Sequence, residues 1–206
     1  MNIALENVGK KYRYEWIFKG LSFQFQASGK YAILGPNGSG KSTFLKILSG
    51  HLSPSSGKII FTKRNKSLDI NAVYKEISYA APYIELIEEF TLLEILRFQQ
   101  KFKLYHPTAT PDFIIELLGF EKSRHKEIRF FSSGMKQRLK LALALCADVP
   151  VILLDEPTTN LDREGIGWYK NMVNRFGGER LIVVASNVEE DFEFCTEKIS
   201  ITDWKK

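Results

Sequence analysis

The segment Gly35-Pro36-Asn37-Gly38-Ser39-Gly40-Lys41-Ser42-Thr43 is built to hold phosphates. It fits the pattern G-x-x-x-x-G-K-[S/T]. Glycines let such a loop bend until several backbone N–H groups converge on one anion. Lys41 adds a charge that reaches β- and γ-phosphates, and the Ser42 hydroxyl is an oxygen ligand for Mg²⁺. A second chemical pair, Asp155-Glu156, follows the apolar run Val151-Ile152-Leu153-Leu154. A carboxylate at the end of a buried strand beside a phosphate loop is a second anchor for Mg²⁺. Glu156, one residue on, is placed to polarise a water against a γ-phosphate. A third segment, Phe131-Ser132-Ser133-Gly134-Met135, opens a helix. Ser132 and Gly134 there present a hydroxyl, free N–H groups and a helix dipole to an anion. A nucleotide's phosphates and Mg²⁺ are the implied ligand and ion.

These groups need elements to position them. Tyr31-Ala32-Ile33-Leu34 reads as a strand entering the phosphate loop, and Phe44-Leu45-Lys46-Ile47-Leu48 as the helix leaving it. That strand–loop–helix context is what the motif requires. Val151–Leu154 and Leu181–Ala185 are wholly apolar, as central strands of a parallel sheet buried on both faces must be. Residues 2–8 and 20–26 read as strands, the second alternating Leu21, Phe23 and Phe25 with polar neighbours. Such alternation predicts an antiparallel sheet. Lys58–Thr62 adds a third strand, and Tyr12, Tyr14 and Trp16 fall between the first two. Residues 63–75 read as a loop, and Ile77–Ala80 as a short strand.

Thr91-Leu92-Leu93-Glu94 is a capping box, so a helix is expected over 92–103. Thr110-Pro111 starts another that stops before Gly119. A helix over 134–147 carries leucines nearly all round and should be buried. The stretch 83–145 therefore reads as an inserted helical subdomain. A further helix over 163–176 carries Ile166, Tyr169, Val173 and Phe176 on one stripe and stops at Gly177-Gly178. Glu189-Glu190-Asp191 reads as a solvated helix start, and Ile199-Ser200-Ile201 as a last strand. The fold class is α/β: a phosphate-loop core with a mostly parallel sheet, a small antiparallel β subdomain and the helical insertion.

With 206 residues, 44% hydrophobic and 26% charged, the chain matches a soluble globular protein. No apolar run approaches the ~20 residues that span a bilayer. The N-terminus lacks the regions of a signal peptide. Cys146 and Cys195 have no metal or redox spacing, which points to the cytosol. The net charge of +5 comes from scattered lysines. It reads as a solvated surface before it reads as a site for acidic lipid or nucleic acid. His51, His106 and His125 read as ordinary surface or loop residues.

Over essentially its whole length the chain resembles the nucleotide-binding subunits of ABC transporters. Leu153-Leu154-Asp155-Glu156-Pro157-Thr158 is similar to the family's second nucleotide motif, and Asn160-Leu161-Asp162 to its D-loop. Phe131–Met135 with Lys136-Gln137-Arg138 resembles its signature motif. Tyr12 stands where the family places an aromatic that stacks on adenine, with Tyr14 and Trp16 as rivals. The resemblance implies a head-to-tail dimer, homomeric or heteromeric. In it the signature residues Ser132 and Gly134 and the D-loop residue Asp162 meet the nucleotide held by the other subunit. It further implies an ATPase on the cytoplasmic face of the membrane, energising a separate integral membrane subunit, with no nucleic-acid partner.

Three positions depart from the family's pattern. Its glutamine before the helical subdomain corresponds to Pro82, which offers no side-chain ligand. Its switch histidine corresponds to Asn187, which can donate to a γ-phosphate but cannot shuttle a proton. Ser133 and Met135 replace a glycine and a glutamine, and Ser133 adds a Cβ where backbone freedom is of use. The expectation is a slow or partner-dependent ATPase. The rivals are an ATP-binding switch without hydrolysis, a non-transport ABC ATPase and a small-molecule phosphate-loop kinase.

Overall fold

The structure is a computed structural model, and it describes residues 1–205. The chain opens with β1 (Asn2–Tyr12), β2 (Glu15–Phe25), β3 (Lys30–Leu34), α1 (Lys41–Leu48), β4 (Ser56–Lys63), β5 (Lys66–Ser67), α2 (Ile70–Val73) and β6 (Ile77–Ala80). Three helices follow: α3 (Leu92–Gln100), α4 (Pro111–Leu118) and α5 (Ser133–Leu145). The chain then alternates through β7 (Val151–Asp155), α6 (Arg163–Phe176), β8 (Leu181–Ala185), α7 (Glu189–Phe192) and β9 (Glu197–Ser200). Two compact units result. The first comprises Met1–Tyr79, Pro150–Glu156 and the chain from Glu179 onward; the second comprises Ala80–Val149 and Pro157–Gly178.

In the first unit one sheet runs β2-β1-β4-β5, with antiparallel pairs throughout. β1 and β2 extend well beyond the spans that alternation predicts. The register slips between Leu5 and Val8 and again before Lys11, so the period of two breaks although pairing continues to Tyr12↔Glu15. Tyr12 and Trp16 are therefore strand residues, and Tyr14 sits exposed in the hairpin between them. The span expected as a loop, 63–75, instead holds β5 and α2, the latter capped by Asp69 accepting from the Asn71 N–H at 2.7 Å.

The other sheet runs β6-β7-β8-β3-β9, with β7–β8, β8–β3 and β3–β9 parallel. Every residue of β7 and β8 is buried. On one face Val151, Leu153, Leu181, Val183 and Ala185 join Ile33, Phe44, Leu45 and Leu48 in one core, the burial of apolar surface that dominates folding. β9 ends at Ser200, and Ile201 opens a short 3-10 turn rather than completing the strand. Asp191 corrects the reading of an acidic solvated run. It is 1% exposed and accepts from the Ser186 hydroxyl.

The second unit is helical. α3 ends at Gln100, three residues before the expected limit, and begins with both bonds of its capping box. Thr110 caps α4, and Gly119 closes it at φ 68, a value glycine adopts without strain. α5 packs on α4 and α6. Polar bonds stitch this unit: Trp168 Nε1 donates to Leu117 O at 2.6 Å, tying α6 to α4, and the buried Gln137 Nε2 donates to Pro157 O at 2.8 Å.

Candidate functional site

Parallel pairing of β3 with β8 and of β8 with β7 brings three C-terminal strand ends together in the first unit. From β3 leaves the phosphate loop, from β7 the Asp155-Glu156 pair, from β8 the turn carrying Asn187. Ligands of open α/β sheets bind at such carboxyl edges. One cleft of about 230 Å³ is lined by Ile17, residues 37–43 and Glu156.

The loop needs glycine at two positions for distinct reasons. Gly35 has φ 152, and a Cβ there would stand 2.6 Å from Ser39 Oγ. Gly40 has φ 104, and its Cβ would strike Ile17 at 2.4 Å. Gly40 also precedes α1 without any side-chain cap, which leaves the first-turn N–H groups of α1 for a ligand. Lys41 is buried. Its Nζ donates back to Gly35 O at 2.6 Å and to Pro36 O at 3.4 Å. The ammonium is thus stored on the loop's own carbonyls.

Asp155 ends β7 and is 1% exposed. The Tyr79 hydroxyl, on β6, donates to its Oδ2 at 3.4 Å. Glu156 follows at φ 43, a conformation that is uncommon outside glycine and gathers at functional sites. Its N–H donates to Ala185 O at 2.9 Å, which ties the carboxylate's backbone to β8. The Ser42 hydroxyl and the Asp155 carboxylate are hard oxygen donors, the kind Mg²⁺ takes alongside nucleotide phosphates. Among the described residues no cluster of three His, Cys, Asp or Glu could hold a metal by itself. A metal shared with phosphates does not need one.

Asn187 projects from the turn after β8, and its Oδ1 accepts the Gly35 N–H at 3.3 Å. Tyr12 stands half exposed at the end of β1, outside the cleft, with Lys10 Nζ 5.4 Å from its ring centre.

In the second unit, Ser132, Gly134, Arg138 and Asp162 line a separate cleft of about 360 Å³. Ser132 caps α5 by accepting from the Met135 N–H at 3.2 Å. A Cβ on Gly134 would lie 3.0 Å from Asn160 O, so its small size permits the close approach of α5 to the turn before α6. Ser133 sits in ordinary helical backbone, so its Cβ costs no conformational freedom there. Asp162 caps α6 through its Oδ1 on the Gly165 N–H at 2.8 Å. Arg138 lies over Trp168 and Phe120 at 4.8 and 5.4 Å from the ring centres. Burial pulls its pKa below the usual value, while Glu164 and Asp162 oppose the shift. Pro82, on the same unit, has its carbonyl bonded by Lys140 Nζ.

Sequence reasoning passed over Ile17, Tyr79, Arg138 and Lys140. Ile17 and Tyr79 carry no motif, and nothing local signals their destinations. Arg138 fell inside the quoted signature segment without a role.

A family model described as ABC transporter matches residues 18–159. The chain belongs to the ABC transporter family. It is 29% identical over 204 residues to the ABC transporter ATP-binding protein YhcH of Bacillus subtilis, covering 97% of this chain and 66% of that protein. It is 31% identical over 209 residues to the Nod factor export ATP-binding protein I of Burkholderia lata, covering 99% and 69%. It is 28% identical over 198 residues to the lantibiotic transport ATP-binding protein SrtF of Streptococcus pyogenes, covering 96% and 85%. The chain thus spans about two thirds of the length of several relatives. Among solved structures, a dimeric bacterial ABC transporter cassette superposes with TM-score 0.80 at 25% identity, covering 97% of this chain and 94% of that one. A putative ABC transporter ATP-binding protein from Pyrococcus furiosus shares the fold with TM-score 0.82 at 18% identity, covering all of both chains.

Proposed function

We propose that this chain is the ATP-binding and ATP-hydrolysing cassette of an ABC transporter, working on a separate membrane-embedded subunit. One observation carries the reading: Glu156 and the phosphate loop line a single cleft, with Asp155 buried at the end of the adjoining strand. No described helix is long and apolar enough to cross a membrane, so the translocation path belongs to another chain or segment. Residues 1–206 act as one ATP-binding domain, with a helical part around 83–145, at the cytoplasmic face of the membrane.

The roles follow from chemistry. Tyr12 offers a half-exposed ring for the adenine to stack on. Backbone N–H groups of residues 37–43 receive the phosphates at the start of α1. Lys41 leaves the Gly35 and Pro36 carbonyls for the β- and γ-phosphates. Ser42 and Asp155 would hold Mg²⁺, which when bound neutralises charge developing on the transferred phosphoryl group. Glu156 accepts a proton from the attacking water. The Asn187 amide N–H₂ is left to donate to the γ-phosphate. Ser132, Gly134 and the Asp162 turn present an anion site to nucleotide held by a second cassette, of the same or another chain. The dimeric relative of this fold supports that arrangement.

Turnover is slow for such a site. Pro82 supplies no side-chain donor and its carbonyl is taken by Lys140. Asn187 supplies no imidazole. Loss of one preorganised polar group at a transition state costs roughly 100-fold or more. The test is Mg²⁺-dependent phosphate release by the purified chain and by Glu156→Gln, alongside ATP binding by calorimetry. The variant should bind ATP as the parent does and lose about 100-fold or more of its turnover. Equal turnover in the two proteins would remove Glu156 from the chemistry, and absence of ATP binding in the parent would reject the reading outright.

A further inference from the structure

Gly35 is held from two sides. Its carbonyl accepts from Lys41 Nζ at 2.6 Å, and its N–H donates to Asn187 Oδ1 at 3.3 Å. The orientation of the Asn187 amide is not arbitrary. A backbone N–H can only donate, so the oxygen must face it and the N–H₂ must point away.

The turn that carries Asn187 is itself fixed. The Ser186 N–H donates to Ile33 O at 3.3 Å, on the strand that enters the phosphate loop. The Ser186 hydroxyl donates to the buried Asp191 carboxylate. The Val188 N–H donates to Ser186 Oγ at 3.0 Å. Both neighbours of Asn187 are therefore anchored, and α7 supplies the anchoring carboxylate. A side chain with this footing holds its partner rather than following it.

On the proposed function the Lys41 ammonium turns from Gly35 O to phosphate, which gives up one of the two holds, and the tie from Asn187 then keeps the start of the loop in place. We infer that Asn187 is a positioning residue of the phosphate loop, fixing the Gly35 backbone whatever nucleotide is bound. This rests on the ATP-site reading, but it assigns a role that a γ-phosphate sensor would not have. A sensor of the γ-phosphate distinguishes ATP from ADP. A tie on Gly35 serves both alike.

Two measurements on the full chain separate these roles. Without nucleotide, amide hydrogen exchange at Gly35 is followed by NMR. Asn187→Ala should speed it about two- to tenfold, the effect of losing one ordinary hydrogen bond. Asn187→Asp keeps an acceptor oxygen, now charged, and should exchange no faster than the parent. With nucleotide, Asn187→Ala should weaken ADP about two- to tenfold and ATP by at least as much, since the tie serves both and the amide N–H₂ serves only the γ-phosphate. Unchanged Gly35 exchange in Asn187→Ala would overturn the tie. Loss of ATP affinity with ADP affinity intact would overturn the positioning role in favour of γ-phosphate contact alone. If the parent bound neither nucleotide, the ATP-site reading would fail, and the exchange measurement, made without nucleotide, would still decide whether the tie exists.

Discussion

Replacing Lys41 by alanine tests the phosphate loop most directly. In the structure the ammonium makes two bonds to backbone carbonyls, at 2.6 and 3.4 Å, and the side chain is 5% exposed. On the proposed function, bound nucleotide exchanges these for bonds to two phosphate groups. The carbonyl bonds are already charge-assisted, so the gain on binding comes from pairing the ammonium with anionic phosphate. Truncating one partner of a buried, hydrogen-bonded charge pair costs about 2–5 kcal/mol, and with the carbonyl bonds given up the lower part of that range, about 2–4 kcal/mol, is expected. That corresponds to roughly 30- to 1,000-fold in affinity. Alanine is a strong helix former, so the first position of α1 should hold. Calorimetric titration of parent and Lys41→Ala with Mg²⁺ and ATP gives the ratio, and thermal unfolding confirms that the variant is folded. An affinity within about threefold of the parent, in a folded variant, would refute the idea that the stored ammonium transfers to phosphate.

Other tests concern what holds the framework. Gln137→Leu strands the Pro157 carbonyl in a buried setting, since Gln137 is 2% exposed; it should cost about 1–3 kcal/mol in denaturant unfolding. Thr91→Ala removes the cap of α3 and should cost about 1 kcal/mol by the same assay. The Thr91 N–H and hydroxyl, in that order, hold the Glu94 carboxyl below its ordinary pKa. A carboxyl depressed by folding stabilises above its unfolded value, about 4.3, and that contribution fades as pH falls through the lower folded value. Glu94→Gln should flatten this acid-side slope of stability, and an unchanged slope would place the titration elsewhere.

Much of this protein is legible without coordinates, wherever the deciding chemistry is local. The phosphate loop declares itself by spacing. Thr91, Thr110 and Gly119 announce helix ends because a cap is satisfied within three or four residues. α6 falls over 163–176 as its stripe and its Gly177-Gly178 stop require. β7 as far as Leu154 and all of β8 are legible because strands buried on both faces read as continuous apolar runs.

What only the folded chain decides is which distant groups meet. The length of β1 was hidden by slips in register that the sequence does not mark. Asp191 looked like one more solvated acid until a hydroxyl five residues back buried it. Tyr79 reaches Asp155 across 76 positions, and Lys140 reaches the Pro82 carbonyl across 58. The Asn187 oxygen meets Gly35 across 152 positions, because parallel pairing lays the ends of β3 and β8 side by side. Spacing along a chain encodes turns, caps and faces. Contacts between strand ends depend on sheet order, and sheet order is set by the burial of every strand at once.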